Sequence, residues 1–252
     1  MNNMHNLQQT IDKQSVRRRI KNRQLQTAKI AGLISLIAFI TMFLPFHSWN
    51  KLQGNYAVAF LSMFVFISAA IVALMFRSRG KKQDKLISGE MLIVGWVMDN
   101  ATMKTYANHL FVSKKTKNVG LFILTALLAA LIFGVFIIFM EEGKLFMFLF
   151  FIGIVALIGL FAFVMPYYYR YKNLRGDGYV LIGKKYAYVN GFFHNWDFPL
   201  SGLDKVEIIN KPFRGLYLRY YYYTRTLRNE EVIEIPVNEN IDIEKIIEKL
   251  IT

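Results

Sequence analysis

The chain has 252 residues, 54% of them hydrophobic, yet 31 are Lys or Arg against 17 acids, a formal net charge of +14. A soluble core this apolar is seldom also this basic, so the composition argues against a single soluble domain and for segregation, with apolar residues in lipid and basic ones at its surface. The absence of Cys excludes disulfides, a thiolate nucleophile and any Cys-based zinc or iron–sulfur site.

Residues 1–28 are polar and basic, and 11–29 reads as a helix leading into the first apolar run. Arg17, Arg18, Arg19, Lys21 and Arg23 would lie against anionic head groups, each worth about 1 kcal/mol there. The same charges are also accounted for as determinants of orientation. Four runs then contain no Asp, Glu, Lys, Arg or His: Ile30–Phe46, Ala57–Phe76, Val119–Met140 and Leu145–Met165. Each approaches the roughly 20 residues that cross a hydrocarbon core. They predict transmembrane hairpins over 29–76 (spans 30–49 and 57–76) and 119–167 (spans 119–140 and 145–167), with Trp49 and Tyr56 at one interface. Basic residues alternate in density: seven in 1–29, one in 47–56, nine in 77–118, one in 141–144 and thirteen in 168–252. The positive-inside rule then places the N-terminus, the 77–118 segment and the C-terminus in the cytoplasm of a multi-pass cell-membrane protein.

The 77–118 segment opens with Arg77, Arg79, Lys81 and Lys82, read as a hydrophilic turn that extends to Lys85 and faces anionic lipid. Residues 90–97 are β-favouring and include Trp96. Asp99 or Asn100 is placed to cap a helix over 101–118, whose apolar face carries Met103, Tyr106, Ala107 and Leu110 and which runs on into the third span. A lone strand leaves its backbone groups unpaired, so 90–97 needs a sheet to join.

Residues 168–252 supply candidates for that sheet. Strands are predicted at 179–182, 186–189, 192–198, 204–210, 216–224 and 230–237, with an Asn190-Gly191 hairpin turn and a closing amphipathic helix over 241–251. Leu216, Leu218, Tyr220 and Tyr222 share one face of their strand. Trp96, Trp196, Tyr220 and Tyr222 are the aromatics placed for core packing or for interaction. The predicted fold is α+β: four transmembrane helices plus a cytoplasmic antiparallel sheet, curled into a half-barrel and closed by the C-terminal helix, with 90–97 as a seventh strand.

The stretch GYVLIGKKYAYVNGFFHNW at 178–196, IEIPV at 233–237, the closing helix and GEMLIVGWVMDNATMKTYANHLF at 89–111 carry a resemblance. Together they resemble uncharacterised bacterial multi-pass membrane proteins with a bacterial pleckstrin-homology-like cytoplasmic domain, over about 90–250. The hairpin over 29–76 is an addition to that pattern. The resemblance implies a fold and membrane association, and it brings no catalytic residue with it.

No catalytic, cofactor-binding or metal-binding set emerges from the residues. His5, His47, His109 and His194 include no pair at helical ligand spacing, and there is no GxSxG, P-loop or HExxH motif. His194, beside Trp196 and Asp197, reads as a surface-strand residue. The expectation is therefore a non-enzyme without cofactors. The spans hold no ionisable group of the kind that marks a transport path. Residues 168–252 carry thirteen basic and eleven acidic side chains, too balanced for nucleic acid. The expected partners are the bilayer, anionic lipids at its cytoplasmic face, and a protein partner or a second copy. The expected function is presentation of an interaction module. The alternatives are a toxin- or bacteriocin-immunity-like membrane factor, or a transporter or channel subunit.

Overall fold

The first apolar helix begins at a cap. In the computed structural model, which describes residues 19–47, 54–224 and 226–251, Asn22 precedes helix α1 (Arg23–Phe43) and its side-chain oxygen accepts the Leu25 backbone N–H at 3.1 Å. This corrects the expected continuous helix over 11–29, because residues 20–22 are non-helical. Asn22 is better used as a terminator, since its short amide satisfies a backbone N–H that the helix leaves orphaned. Arg17, Arg18 and Trp49 lie outside the described residues. A 3₁₀ turn at Leu44–Phe46, with Pro45 at its start, ends the helix.

Helix α2 (Tyr56–Ser88) does not stop at the end of its apolar run. The expected turn over Arg77–Lys85 is helical instead, because Arg, Lys, Gln and Leu are strong helix formers and no Pro interrupts them. Gly80 in that stretch permits a close approach: a Cβ there would lie 2.5 Å from Leu25 Cδ2. The Asn22 amide also donates to Gly80 O at 2.8 Å and Asp84 Oδ1 at 2.7 Å, fastening the start of α1 to α2. Gly89, at φ +84°, provides the left-handed residue that ends α2.

Helix α3 (Asn100–Phe139) is capped by Asp99, whose carboxylate accepts the Thr102 N–H at 2.6 Å. It joins the expected 101–118 helix to the third apolar run without a break. Helix α4 (Lys144–Leu174) continues past Pro166 and beyond the expected end at 167. All four helices are long and apolar enough to cross a membrane. α1 packs along α2 and α3 along α4, while among the described residues the two hairpins make at most marginal contact with each other.

Seven strands form two antiparallel sheets. β1 (Leu92–Val97), β2 (Tyr179–Gly183), β3 (Tyr186–Val189) and β4 (Phe192–Asn195) make the first, in chain order. β5 (Gly202–Ile209), β6 (Gly215–Thr224) and β7 (Leu227–Pro236) make the second. The strand between α2 and α3 does find a sheet: β1 pairs with β2, with Trp96 opposite Val180 and Val97 opposite Tyr179. A single curled half-barrel is not seen, because no ladder joins β4 to β5. β4 ends three residues short of its expected limit at 198, where the Asn195 side-chain Oδ1 accepts the Asp197 N–H at 2.9 Å and turns the chain.

The sheets enclose one core that includes Trp96, Val180, Ile182, Leu216, Leu218 and Ile235. Helix α5 (Ile243–Ile251), which starts two residues later than expected, adds Ile243, Ile246 and Leu250. A second core lies on the back of the first sheet, where Leu86 and Ile87 of α2 and Ile20 meet Tyr179, Leu181, Tyr186, Tyr188 and Phe193. β2 and β3 are thus buried on both faces, which is why their sequences lack polar alternation. The long helix α2 is docked directly onto the sheet.

Candidate functional site

Polar contacts reinforce this docking. Lys82 Nζ lies 3.1 Å from Asp197 Oδ2 and donates to the Asp197 carbonyl at 2.6 Å. Lys185 Nζ donates to Asp197 Oδ1 at 2.9 Å and Tyr186 OH to Oδ2 at 2.8 Å. The Lys185 hydrogen bond, aided by Tyr186 and Lys82, holds the Asp197 carboxyl well below the usual carboxylate range. Burial, and then the Asp197 hydrogen bond and charge, push Tyr186 up to about 12.

Because the folded-state value of Asp197 is lowered, its contribution to stability is present above the ordinary carboxylate value of about 3.9 and is lost as pH falls below it. Asp197→Asn should destabilise the protein by about 2 kcal/mol near neutral pH. The gap to wild type should close in acid, as read by thermal unfolding in detergent. A gap independent of pH would show that the charge of Asp197 is not what stabilises the junction.

Beside this junction lies a cleft of about 910 Å³. Arg23, Gln24 and Thr27 of α1 and Met75, Phe76 and Arg79 of α2 line one side, and Lys172 near the end of α4 lines another. The β3–β4 turn and β4 contribute Gly191, Phe192, Phe193, His194 and Asn195. Tyr220, Tyr222 and Tyr223 of β6 and Glu231 of β7 complete it, with Phe198 and Pro199 from the connection to β5.

The electrostatics of the cleft are one-sided. Arg23, Arg79 and Lys172 have no ion-pair partner among the described residues, and Glu231, which is exposed, is the only carboxylate among the lining residues. The charge of Arg23 reaches Lys172. Lys172 Nζ sits 4.5 Å from the centre of the Phe192 ring, and Arg79 Nη2 donates to the Phe193 carbonyl at 3.2 Å. Half-buried His194 is shifted down to about 4 by desolvation and then by the positive charges of Arg79 and Lys114. It is neutral at physiological pH and carries no charge into the cleft. Three buried polar atoms of lining residues lack a hydrogen-bond partner in the protein: Gln24 Oε1, Arg79 Nε and Asn195 Nδ2.

Of the residues singled out from sequence, Arg23, Arg79, Tyr220 and Tyr222 come together here. Arg19, Lys21, Arg77 and Lys81 are exposed outside the cleft. Lys82 is committed to Asp197. Trp96 is a core residue whose Nε1–H donates to Pro236 O at 3.1 Å. Trp196 is buried, donates to Lys184 O at 3.0 Å and stacks obliquely on Tyr220 at 5.7 Å. His194, expected on a free surface, lies instead in the cleft wall, because β4 faces the helix ends. Lys172, Asn195 and Phe192 were not identified from sequence. Lys172 reads there only as one of many charges flanking a span, and nothing local ties it to Arg23.

Among the described residues no three His, Asp or Glu side chains converge as metal ligands would. The arrangement is a recess with cationic and aromatic walls. No protein-family model, curated protein or solved structure matches the chain.

Proposed function

We propose that this chain is a multi-pass membrane protein that holds a pleckstrin-homology-like interaction module rigidly against the cytoplasmic face of the bilayer. The observation that carries the reading is the β1–β2 ladder. β1 precedes the α3–α4 hairpin and β2 follows it, so the two flanks of that hairpin occupy one compartment. Two apolar crossings between them fit that requirement, and the Lys/Arg asymmetry favours the cytoplasm. Seven antiparallel strands followed by a C-terminal helix agree with the plan that the sequence resemblance implies. The docking of Leu86 and Ile87 and the Lys82–Asp197 pair set the orientation of the module relative to the helices, so it serves as a fixed platform and not as a tethered domain.

The chain has no Cys, so each introduced thiol is a unique probe. In intact cells, Glu141→Cys should react with a membrane-impermeant maleimide, whereas Glu239→Cys should react only after permeabilisation. Labelling of both sites, or of Glu239→Cys alone, in intact cells would overturn the topology and with it the function.

A further inference from the structure

We propose that the cleft between the two helical hairpins and the sheets binds the phosphate-bearing headgroup of an anionic phospholipid that enters from the bilayer. The proposal rests on the membrane reading above and goes further by naming the ligand class and the residues that hold it.

Three observations converge. First, Arg23, Arg79 and Lys172 come from three different helices, form no ion pair among the described residues, and line one recess whose only carboxylate is the exposed Glu231, with Asp177 acting on Arg23 from outside it. Three cations set against so little negative charge in the lining repel one another, and a bound anion relieves that repulsion. Second, the orphaned polar atoms match a phosphate ester. Arg79 Nε and Asn195 Nδ2 are buried donors without acceptors, and Asn195 is only 4% exposed. Phosphate oxygens are strong, multiple acceptors for such donors. Gln24 Oε1 is an acceptor without a donor, which suits a headgroup hydroxyl.

Third, the position favours a lipid over a soluble phosphate. Met75 and Phe76 end the apolar run of α2, and Arg79 lies one turn beyond, so the lining crosses from hydrocarbon to headgroup chemistry. Among the described residues the two hairpins make at most marginal contact with each other, which fits lateral entry from the membrane. The aromatic walls, with Phe76, Phe193 and Tyr222, and the volume of about 910 Å³ exceed what a lone phosphate needs. They suit a glycerol backbone and the first carbons of its acyl chains.

The test uses the purified full chain in micelles doped with phosphatidylglycerol or with phosphatidylcholine, read by native mass spectrometry, with inorganic phosphate as a third arm. One phosphatidylglycerol per chain should be retained, with phosphatidylcholine held at least tenfold more weakly. Arg23→Gln, an exposed position with no side-chain hydrogen bond in the structure, should weaken retention about fivefold, and Arg79→Gln with Lys172→Gln more than tenfold. Lys115→Gln with Lys117→Gln, exposed cations at the same level on α3, should leave retention unchanged. The Arg23 variant keeps the result interpretable if the double variant fails to fold. Equal losses from the α3 control would overturn the site in favour of diffuse surface charge. Binding of inorganic phosphate with the same Arg79 and Lys172 dependence, without lipid retention, would overturn the lipid source. The thiol-labelling pattern is independent of these outcomes, so failure of lipid binding is distinguishable from failure of the topology.

Discussion

Replacing Trp96 by alanine is expected to cost about 3–5 kcal/mol, as deletion of a large buried aromatic generally does. Trp96 is fully buried, and its ring lies in the core between the two sheets. Its Nε1–H reaches across to Pro236 O at the end of β7, so one side chain links the first sheet to the second. The alanine variant leaves a cavity and strands that carbonyl. It also removes the main anchor of β1, whose remaining buried side chain, Val94, is small. The segment between α2 and α3 should then become the first site of proteolytic cleavage. Trp96→Phe, which keeps most of the apolar contact and loses the hydrogen bond, should cost about 1–3 kcal/mol. Chemical unfolding of the full chain in detergent, followed by circular dichroism, separates the two. Unchanged unfolding of Trp96→Ala would show that β1 is not part of the core.

Asn190→Ala should destabilise the protein by about 2–4 kcal/mol, from one stranded buried N–H together with backbone strain. Asn190 is 1% exposed and sits at φ +50° in the β3–β4 turn, with Gly191 at φ +92° after it. Its side-chain Oδ1 accepts the Gly178 N–H at 3.0 Å, and its side-chain Nδ2 donates to Asn173 O at 2.7 Å. The turn thereby clamps the last residues of α4 to the start of β2. Asn190→Gly relieves the strain but still loses both hydrogen bonds, so it should be about 1 kcal/mol less harmful than alanine. If both substitutions left the unfolding midpoint unchanged, the clamp would carry no weight. Because Gly191 and Phe192 of this turn line the cleft, loosening it should also blunt the difference between phosphatidylglycerol and phosphatidylcholine.

Several features were legible in the sequence because their causes are local. An uninterrupted apolar run without charges specifies a helix in lipid wherever the rest of the chain goes, and the four long helices follow those runs. The Asn190-Gly191 turn, the Asp99 cap and the strands around them likewise depend on neighbouring residues. Even the pairing of β1 had a local warning, since six extended residues between helices leave unpaired backbone groups that some other strand must satisfy.

The remaining features arose from non-local contacts. Alternation in β4 and β5 says which side chains face inward but not whether the two strands share a ladder, and the turn at Asn195 separated them into different sheets. The charges from Arg77 to Lys85 read as a turn while considered alone. Their own helix propensity keeps them helical, but what that helix meets is non-local: Leu86 and Ile87 cover the back of a sheet and Lys82 reaches Asp197. The cleft shows the same division. Composition and charge placed basic residues beside the apolar runs, and that much the sequence determined by itself. Only the tertiary structure decided which of them, Arg23, Arg79 and Lys172, line one recess without forming ion pairs among the described residues. Their proximity depends on the docking of α1, α2 and α4 around the first sheet, and no local pattern encodes contacts between residues so distant along the chain.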